Sequence, residues 1–262
     1  MKFKSILMLI FTVLFAYSTV FANDNVVVPA LMYHNINDDY EDKNASVEIS
    51  GQMFKEQMLA LKENGYTSIF FNEYLDAVNN KKELPEKPIL ITFDDGYLNN
   101  FTVGYPILKE TGMKATIFIV TGRMGLQGAV TYPHFTWQQA LEMEKSGYID
   151  IQSHTQYHSH LPMISNSNLT LELRKSKFII EKNLGKKVNI LAYPYGEWNE
   201  NVINSAKKAG YDACVLADPG YVGVNSLNEN TYLMKRITVY GHMSGQQLIE
   251  EIKKNESDKI EN

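Results

Sequence analysis

The sequence predicts a single α/β domain in which helices cover a parallel β-sheet. Short, continuously apolar segments alternate with amphipathic helical segments along the chain. Continuous apolar runs are typical of strands that are buried on both faces, as in parallel sheets. About 240 residues follow an N-terminal export segment, and α/β barrels often occupy 200–250 residues without division. We therefore expect seven or eight strand–helix units, and the length favours a barrel over an open sheet.

The first 22 residues are expected to be a signal peptide, which leaves residues 23–262 as the catalytic domain. Lys2 and Lys4 supply a basic start, an apolar run covers residues 6–15, and Ala22 is the small residue expected at a cleavage site. The run is shorter than the roughly 20 apolar residues of a membrane span. We expect a secreted, extracellular protein, with association with the cell surface as the alternative, that contacts a membrane only through an uncleaved signal.

The predicted strands are apolar runs that end in polar residues. They cover residues 26–33, 68–71, 89–93, 115–120, 149–153, 188–193, 213–216 and 237–240. Because the active sites of barrels form at the carboxyl ends of the strands, the polar residues that follow these runs are the candidates for chemistry.

Helices are predicted between these runs from their start and stop signals. Thr136 with Gln139, and Ser244 with Gln247, form capping-box patterns, and a glycine follows most of the apolar-periodic segments. The predicted helices cover residues 52–63, 137–146, 169–184 and 199–209, and a last helix starts near Ser244.

Composition argues against a nucleic-acid-binding protein and against a domain stabilised by an internal disulfide. The net charge is −5 and the isoelectric point is near 5.7, so we expect no nucleic-acid partner. The single Cys214 cannot form an internal disulfide, and its apolar surroundings predict a core residue. We expect a monomer.

Asp94 and Asp95 follow one predicted strand directly and precede Gly96. Two adjacent carboxylates repel each other unless a cation or a shared proton separates their roles. A divalent metal on one of them leaves the other free to act as a base. A solvated Asp-Asp-Gly turn is the alternative, since Asp followed by Gly is common in loops.

His154 and His158 follow another predicted strand, and His160 lies close by. Two imidazoles four positions apart reach one metal ion if the backbone between them makes a helical turn, and His160 is an alternative to His158. One Asp and two His form the three-ligand, open set of a catalytic metal site rather than the closed set of a structural one.

These segments resemble the motifs of the polysaccharide deacetylases, the family-four carbohydrate esterases. The resemblance covers roughly residues 26–247, and its motifs are Thr92-Phe93-Asp94-Asp95-Gly96, His154-Thr155-x-x-His158 with Leu161, and Tyr193-Pro194-Tyr195-Gly196. It implies an irregular (β/α) barrel. It also implies that Asp94 is the general base and that Asp95, His154 and His158 hold the metal, while the backbone N–H of Tyr195 stabilises the oxyanion.

Two departures from the family pattern concern the catalytic acid and an arginine. The sequence lacks the late histidine motif of the family, but Leu31-Met32-Tyr33-His34-Asn35 resembles the opening of the biofilm poly-N-acetylglucosamine deacetylases, whose motifs are circularly shifted. This resemblance implies that His34 is the acid. Many members carry an arginine where this chain has Ala192, and Arg236 either supplies that charge or forms a surface ion pair.

The predicted function is metal-dependent removal of N-acetyl groups from an N-acetylglucosamine-containing polysaccharide. Zn²⁺ is the expected metal, with Co²⁺ or Ni²⁺ as alternatives, since the ligand types do not separate them. Two other enzymatic functions remain open: an O-acetyl esterase of the xylan type and a peptidoglycan deacetylase. A non-enzymatic alternative is an inactive carbohydrate-binding wall protein.

Overall fold

The computed structural model describes residues 26–38, 47–128, 132–217 and 223–261. The expected signal peptide, residues 1–22, lies outside this part of the chain. The described residues form one domain around a curled, mostly parallel sheet. Its strands are β1 (Val27–Tyr33), β4 (Thr67–Ile69), β5 (Pro88–Phe93), β6 (Ala115–Ile119), β7 (Ile149–Ser153), β8 (Ile190–Ala192), β9 (Ala213–Val215), β10 (Val224–Ser226) and β11 (Ile237–Thr238), and a separate pair is β2 (Asn35–Ile36) with β3 (Glu48–Ile49).

The sheet confirms the predicted parallel arrangement, with one exception. Its main order is β10-β1-β5-β6-β7-β8-β9, with β4 beside β5 and β11 beside β1. Every pairing within this sheet is parallel except β1 with β10, which is antiparallel. No apolar run marks β10, because it is a three-residue strand that pairs with β1 alone and carries Asn225 and Ser226.

Residues 234–238 connect the two ends of the curled sheet. Met234 forms a parallel bridge with Val215 of β9, and Ile237 pairs with Leu31 of β1. The backbone of this segment is closely packed, since a Cβ on Gly223 would lie 2.3 Å from the amide nitrogen of Ile237. The segment is thereby fixed between β9 and β1, and Arg236 lies within it.

The helices follow the predicted pattern and add two short ones. They are α1 (Gly51–Glu63), α2 (Phe71–Val78), α3 (Tyr105–Thr111), α4 (Trp137–Lys145), α5 (Asn166–Leu184), α6 (Glu200–Ala209) and α7 (Gly245–Glu261). The predicted strand at residues 68–71 ends at Ile69 because α2 begins at Phe71. Among the described helices, none has the length and apolar content needed to cross a bilayer.

Several helix ends have the caps that their sequences predict. Thr136 accepts a hydrogen bond from the backbone N–H of Gln139 at the start of α4, and Ser244 accepts one from the backbone N–H of Gln247 at the start of α7. Gly185 closes α5 in the left-handed conformation, which a residue without Cβ adopts most easily. These caps fix the ends of the helices that surround the sheet.

The two faces of the sheet pack into two apolar clusters. Alternate residues point to opposite faces of a strand, so Leu31 packs into the larger cluster, which includes residues of α1, α5 and α7, while Ala30 packs into the smaller one. Leu90 and Phe118 belong to the smaller cluster, together with Phe71 and Tyr74 of α2. Cys214 is fully buried in the larger cluster, as predicted. Because side chains alternate along β5, Thr92 and Asp94 point to the same face as Leu90, and both accept hydrogen bonds from Arg236.

Candidate active site

The predicted site residues lie at one edge of the sheet, where parallel strands end. Tyr33 of β1 pairs with Phe93 of β5, and the backbone N–H of Asp94 donates to the carbonyl of Tyr33 at 3.0 Å. His34 and Asp94 are therefore the next residues on two neighbouring strands. In the same way the N–H of His154 donates to the carbonyl of Ile119 at 2.9 Å. The parallel register thus brings segments distant in sequence to one edge.

Asp95, His154 and His158 form a group that fits a metal ion. One ligand atom from each lies within 4.8 Å of the others, and the two rings are 4.7 Å apart. His158 Nε2 is 3.7 Å from Asp95 Oδ1. Ligand atoms bound tetrahedrally at 2.0–2.2 Å would lie roughly 3.4 Å apart, so a small contraction around a cation suffices. One carboxylate and two imidazoles are also a suitable donor set for a catalytic divalent metal.

Neighbouring groups orient two of these three side chains. His154 Nδ1 lies 2.8 Å from the carbonyl oxygen of Ala192, which acts as an acceptor; the proton is therefore placed on Nδ1 and Nε2 keeps its lone pair. Asp95 Oδ2 accepts a hydrogen bond from the Tyr97 hydroxyl at 2.8 Å, and Arg123 lies 3.4 Å from Oδ1. The sequence analysis did not single out Tyr97 or Arg123. Tyr97 lies just beyond the end of β5 and Arg123 just beyond the end of β6, and these positions are the sequence signal that could have identified them.

The protonation of this group suits metal binding. Burial raises the pKa of Asp95, but the three nearby imidazoles and the Tyr97 hydroxyl outweigh burial and leave the pKa below its ordinary value. Burial and the neighbouring His154 lower the pKa of His158 to about 4, against a smaller opposing effect of Asp95. At neutral pH the carboxylate is ionised and His158 is neutral, which are the forms that bind metals.

The loop between the two histidines is not the helical turn that the spacing suggested. Residues 154–158 contain no helix, and Thr155 and His158 both have positive φ, at 66° and 60°. The two imidazoles lie 4.7 Å apart on a loop with two left-handed residues and no helical turn. The left-handed conformation costs a residue other than glycine roughly 1–2 kcal/mol, and for a β-branched threonine it is unusual. The surrounding structure must hold this loop.

Strained backbone is concentrated at the candidate site. Five non-glycine residues of the described chain have positive φ, and Asn80 is the one that lies elsewhere. The other four are Asp95, Thr155, His158 and Tyr195. Such strain persists only where many contacts determine the conformation, and it is frequent at functional sites. Gly122 provides one of these contacts, because a Cβ there would lie 2.6 Å from the carbonyl oxygen of Gln156.

Arg236 forms a buried, two-pronged ion pair with Asp94. Its guanidinium donates to the two carboxylate oxygens at 2.8 and 2.7 Å, and both side chains are buried. It also donates to the Thr92 hydroxyl at 2.9 Å and to the carbonyl of Leu216 at 2.8 Å, and it lies over the Phe118 ring. Arg236 is therefore not a surface ion pair, and it supplies a positive charge next to Asp94 from the segment before β11 rather than from β8, which carries Ala192.

Asp94 is held ionised and apart from the three-residue group. Burial raises the pKa of Asp94, but Arg236 and His154 more than offset this and leave the pKa well below its ordinary range. The group of side chains that could hold a metal ion includes Asp95 but not Asp94. Each carboxylate oxygen has a second lone pair beyond the one that Arg236 occupies. Asp94 can therefore accept a proton from a group bound at the neighbouring site.

His34 and Tyr195 complete the set that the sequence proposed. His34 is half-buried, and burial lowers its pKa while the charges of Asp94 and Asp95 act in the opposite direction. Tyr195 is half-exposed, and its ring lies 4.5 Å from that of His158. The structure thus brings all seven proposed residues to one region.

His160 does not belong to the metal group. Its ring stacks on Tyr195 at 4.0 Å, and its Nδ1 lies 2.9 Å from Glu197 Oε2. The alternative that His160 replaces His158 as a ligand is wrong in this structure, because the side chain faces Glu197 and solvent.

Comparison with known proteins identifies the family. The family model "Polysaccharide deacetylase" matches residues 81–214. YxkH of Bacillus subtilis is 34% identical over 218 residues, which cover 83% of this chain and 73% of YxkH. The poly-beta-1,6-N-acetyl-D-glucosamine N-deacetylase of Staphylococcus aureus is 30% identical over 207 residues, which cover 76% of this chain and 69% of that enzyme.

Solved structures agree with this match. The structure of Streptococcus pyogenes deacetylase PplD in complex with acetate superposes with a TM-score of 0.78 at 29% identity, over 87% of this chain and 98% of that one. The Bacillus cereus polysaccharide deacetylase BC0361 superposes with a TM-score of 0.74 at 32% identity, over 87% of this chain and 69% of that one. The irregular (β/α) barrel expected from the sequence is thereby confirmed, and the chain belongs to the polysaccharide deacetylase family.

Proposed function

We propose that this deacetylase is a metal-dependent hydrolase that removes N-acetyl groups from an N-acetylglucosamine-containing polysaccharide, poly-N-acetylglucosamine or a similar polymer. One observation carries the proposal: an ionised Asp94, fixed by Arg236, lies beside an Asp-His-His group and is not part of it. A binding protein has no need of a free base next to a metal site. The 30% identity to the Staphylococcus aureus enzyme favours the poly-N-acetylglucosamine class of substrate.

The mechanism assigns a role to each residue of the site. A divalent metal held by Asp95, His154 and His158 would polarise the acetyl carbonyl and make a water molecule more acidic. Asp94 accepts the proton of the attacking water, and Arg236 keeps Asp94 oriented and ionised.

The remaining roles concern the developing charges of the substrate. The backbone N–H of Tyr195 donates to the oxyanion, and the left-handed backbone of Tyr195 fixes the direction of that N–H. An amine is a poor leaving group unless it is protonated, and His34 supplies that proton. The products are acetate and a glucosamine unit of the polymer.

Location and assembly are also part of the proposal. Residues 1–22 have the pattern of a signal peptide, and the polymers concerned lie outside the cytoplasm. We propose a secreted, extracellular enzyme that acts as a monomer on its polysaccharide, with membrane contact only before the signal is cleaved.

The most direct test measures acetate release from three polymers with and without chelator. We expect release from poly-N-acetylglucosamine to exceed release from peptidoglycan fragments and acetylated xylan. Chelation should abolish it and Zn²⁺, Co²⁺ or Ni²⁺ should restore it. Metal analysis of the purified protein identifies which ion it carries. Full activity in the metal-free protein, or binding of the polymer with no acetate released by the metal-loaded protein, would contradict the proposal.

Asp94→Asn tests the base. The substitution removes the proton acceptor but preserves the size of the side chain, so we expect the rate of acetate release to fall by about 10²–10⁴-fold. Isothermal titration should show metal affinity close to that of the wild type, because Asp94 is outside the ligand group. Asp95→Asn is the matched control, and it should weaken metal binding. An Asp94→Asn enzyme with a near-normal rate would show that another group is the base.

His34→Ala tests the acid by comparing two leaving groups. An amine requires a proton in order to leave, whereas an activated phenol does not. We expect the variant to lose about 10²-fold or more of its activity on N-acetyl substrates and much less on aryl acetate esters. A common loss on both substrates would argue that His34 only supports the structure.

A further inference from the structure

The loop that joins His154 to His158 is held by the segment after β6 and by one helix, α5. Thr155 and His158 adopt left-handed conformations, and Thr155 is fully buried. The spacing of the two imidazoles therefore depends on whatever fixes residues 155–159. Within the loop itself, the N–H of His158 donates to the Thr155 hydroxyl at 3.1 Å. Two backbone bonds tie the loop to the segment after β6: the N–H of Thr121 donates to the carbonyl of Thr155 at 3.2 Å, and the N–H of Gly122 donates to the carbonyl of Gln156 at 2.8 Å.

Glu172 of α5 supplies a side-chain anchor for the N–H groups of the same loop. Its Oε2 accepts hydrogen bonds from the backbone N–H groups of Gln156 and Tyr157, both at 2.9 Å. Its Oε1 accepts one from the Ser159 hydroxyl at 2.7 Å. The side chain is 5% exposed, and no Lys or Arg of the described residues forms an ion pair with it. Three donors from a single loop thus compensate this buried carboxylate.

A second buried polar residue lies one helical turn further along α5. The Ser176 hydroxyl is 2.8 Å from that of Ser153, and Ser153 Oγ accepts a hydrogen bond from the N–H of Thr155 at 3.2 Å. Apart from these polar residues, the buried side of α5 consists of Leu169, Leu173, Ile180 and Leu184. Burying polar groups on such a face is unfavourable unless they are hydrogen-bonded, and both Glu172 and Ser176 are bonded to the ligand-carrying segment.

We infer that Glu172 is a positioning residue for the metal site: its carboxylate holds the loop of residues 155–159 so that His154 and His158 face Asp95 before a metal arrives. The inference rests on the metal site of the proposed function and extends it to a residue outside the ligand set. Without the carboxylate, the two backbone N–H groups lose their acceptor and the left-handed residues relax. The cost then appears in metal affinity, because the binding energy must restore the loop.

The test compares zinc affinity in three α5 variants by isothermal titration of the metal-free protein. Glu172→Ala should weaken Zn²⁺ binding by about 10–100-fold, which is the usual effect of removing a group that orients metal ligands. Glu172→Gln should stay within a few-fold of the wild type, because its amide oxygen still accepts both backbone N–H groups while Ser159 reverses its hydroxyl.

Glu181→Ala is the matched control on the same helix. Glu181 also accepts a backbone N–H, that of Val188 at 3.0 Å, but it is remote from the ligand loop. This variant should lose some thermal stability and keep wild-type zinc affinity. If Glu172→Ala binds Zn²⁺ as tightly as Glu181→Ala does, the inference is overturned. Should Glu172→Ala fail to fold, Glu172→Asp decides, since its shorter side chain cannot reach all three donors; unchanged affinity would reject the inference.

Acetate release measured on the same preparations separates this inference from the proposed function. Wild-type protein that binds zinc but releases no acetate from any polymer would contradict the function and leave the role of Glu172 intact. If the wild-type enzyme releases acetate normally but Glu172→Ala keeps full zinc affinity, the role of Glu172 is contradicted and the proposed function stands.

Discussion

The buried ion pair between Asp94 and Arg236 is the interaction on which the rest of the site depends. A carboxylate this deep in the domain is stable in its ionised form chiefly because a guanidinium donates to both of its oxygens. Removing one partner of such a pair typically costs 3–5 kcal/mol, because the other charge stays buried and unpaired. The pair also gives the two adjacent aspartates different roles. Arg236 turns Asp94 away from the ligand group, whereas Asp95 faces the histidines.

The fold fixes this arrangement through the segment that spans the ends of the sheet. Residues 234–238 bridge β9 on one side and β1 on the other, so the position of Arg236 is set by two strands at once. This rigidity also maintains strained backbone conformations, which occur at Asp95, Thr155, His158 and Tyr195. Helix α5, the tight turn at Gly122 and the register of the parallel strands hold these residues in conformations that they would not adopt alone. The site is therefore organised before any ligand binds.

Much of the fold and the membership of the site could be predicted from the sequence. Continuous apolar runs and capping residues identified most of the larger strands and helices, and strand ends pointed to Asp94 and His154, whereas His34 was proposed from a family resemblance. The helices α2 and α3 and the strand β10 were missed because they are short and carry weak periodic signals. The left-handed loop between His154 and His158 could not be predicted, since its conformation depends on Glu172 and Gly122, which are distant in sequence. The sequence did not decide whether Arg236 is buried, because residue 236 is brought next to Asp94 only by the curling of the sheet.

A crystal structure of the zinc-loaded protein, with anomalous scattering recorded at the zinc edge, measures the division of roles directly. We expect one strong peak about 2.0–2.2 Å from Asp95, His154 and His158, with Asp94 still paired to Arg236 and outside the coordination shell. A peak coordinated by an oxygen of Asp94, or one that excludes either histidine, would contradict the account.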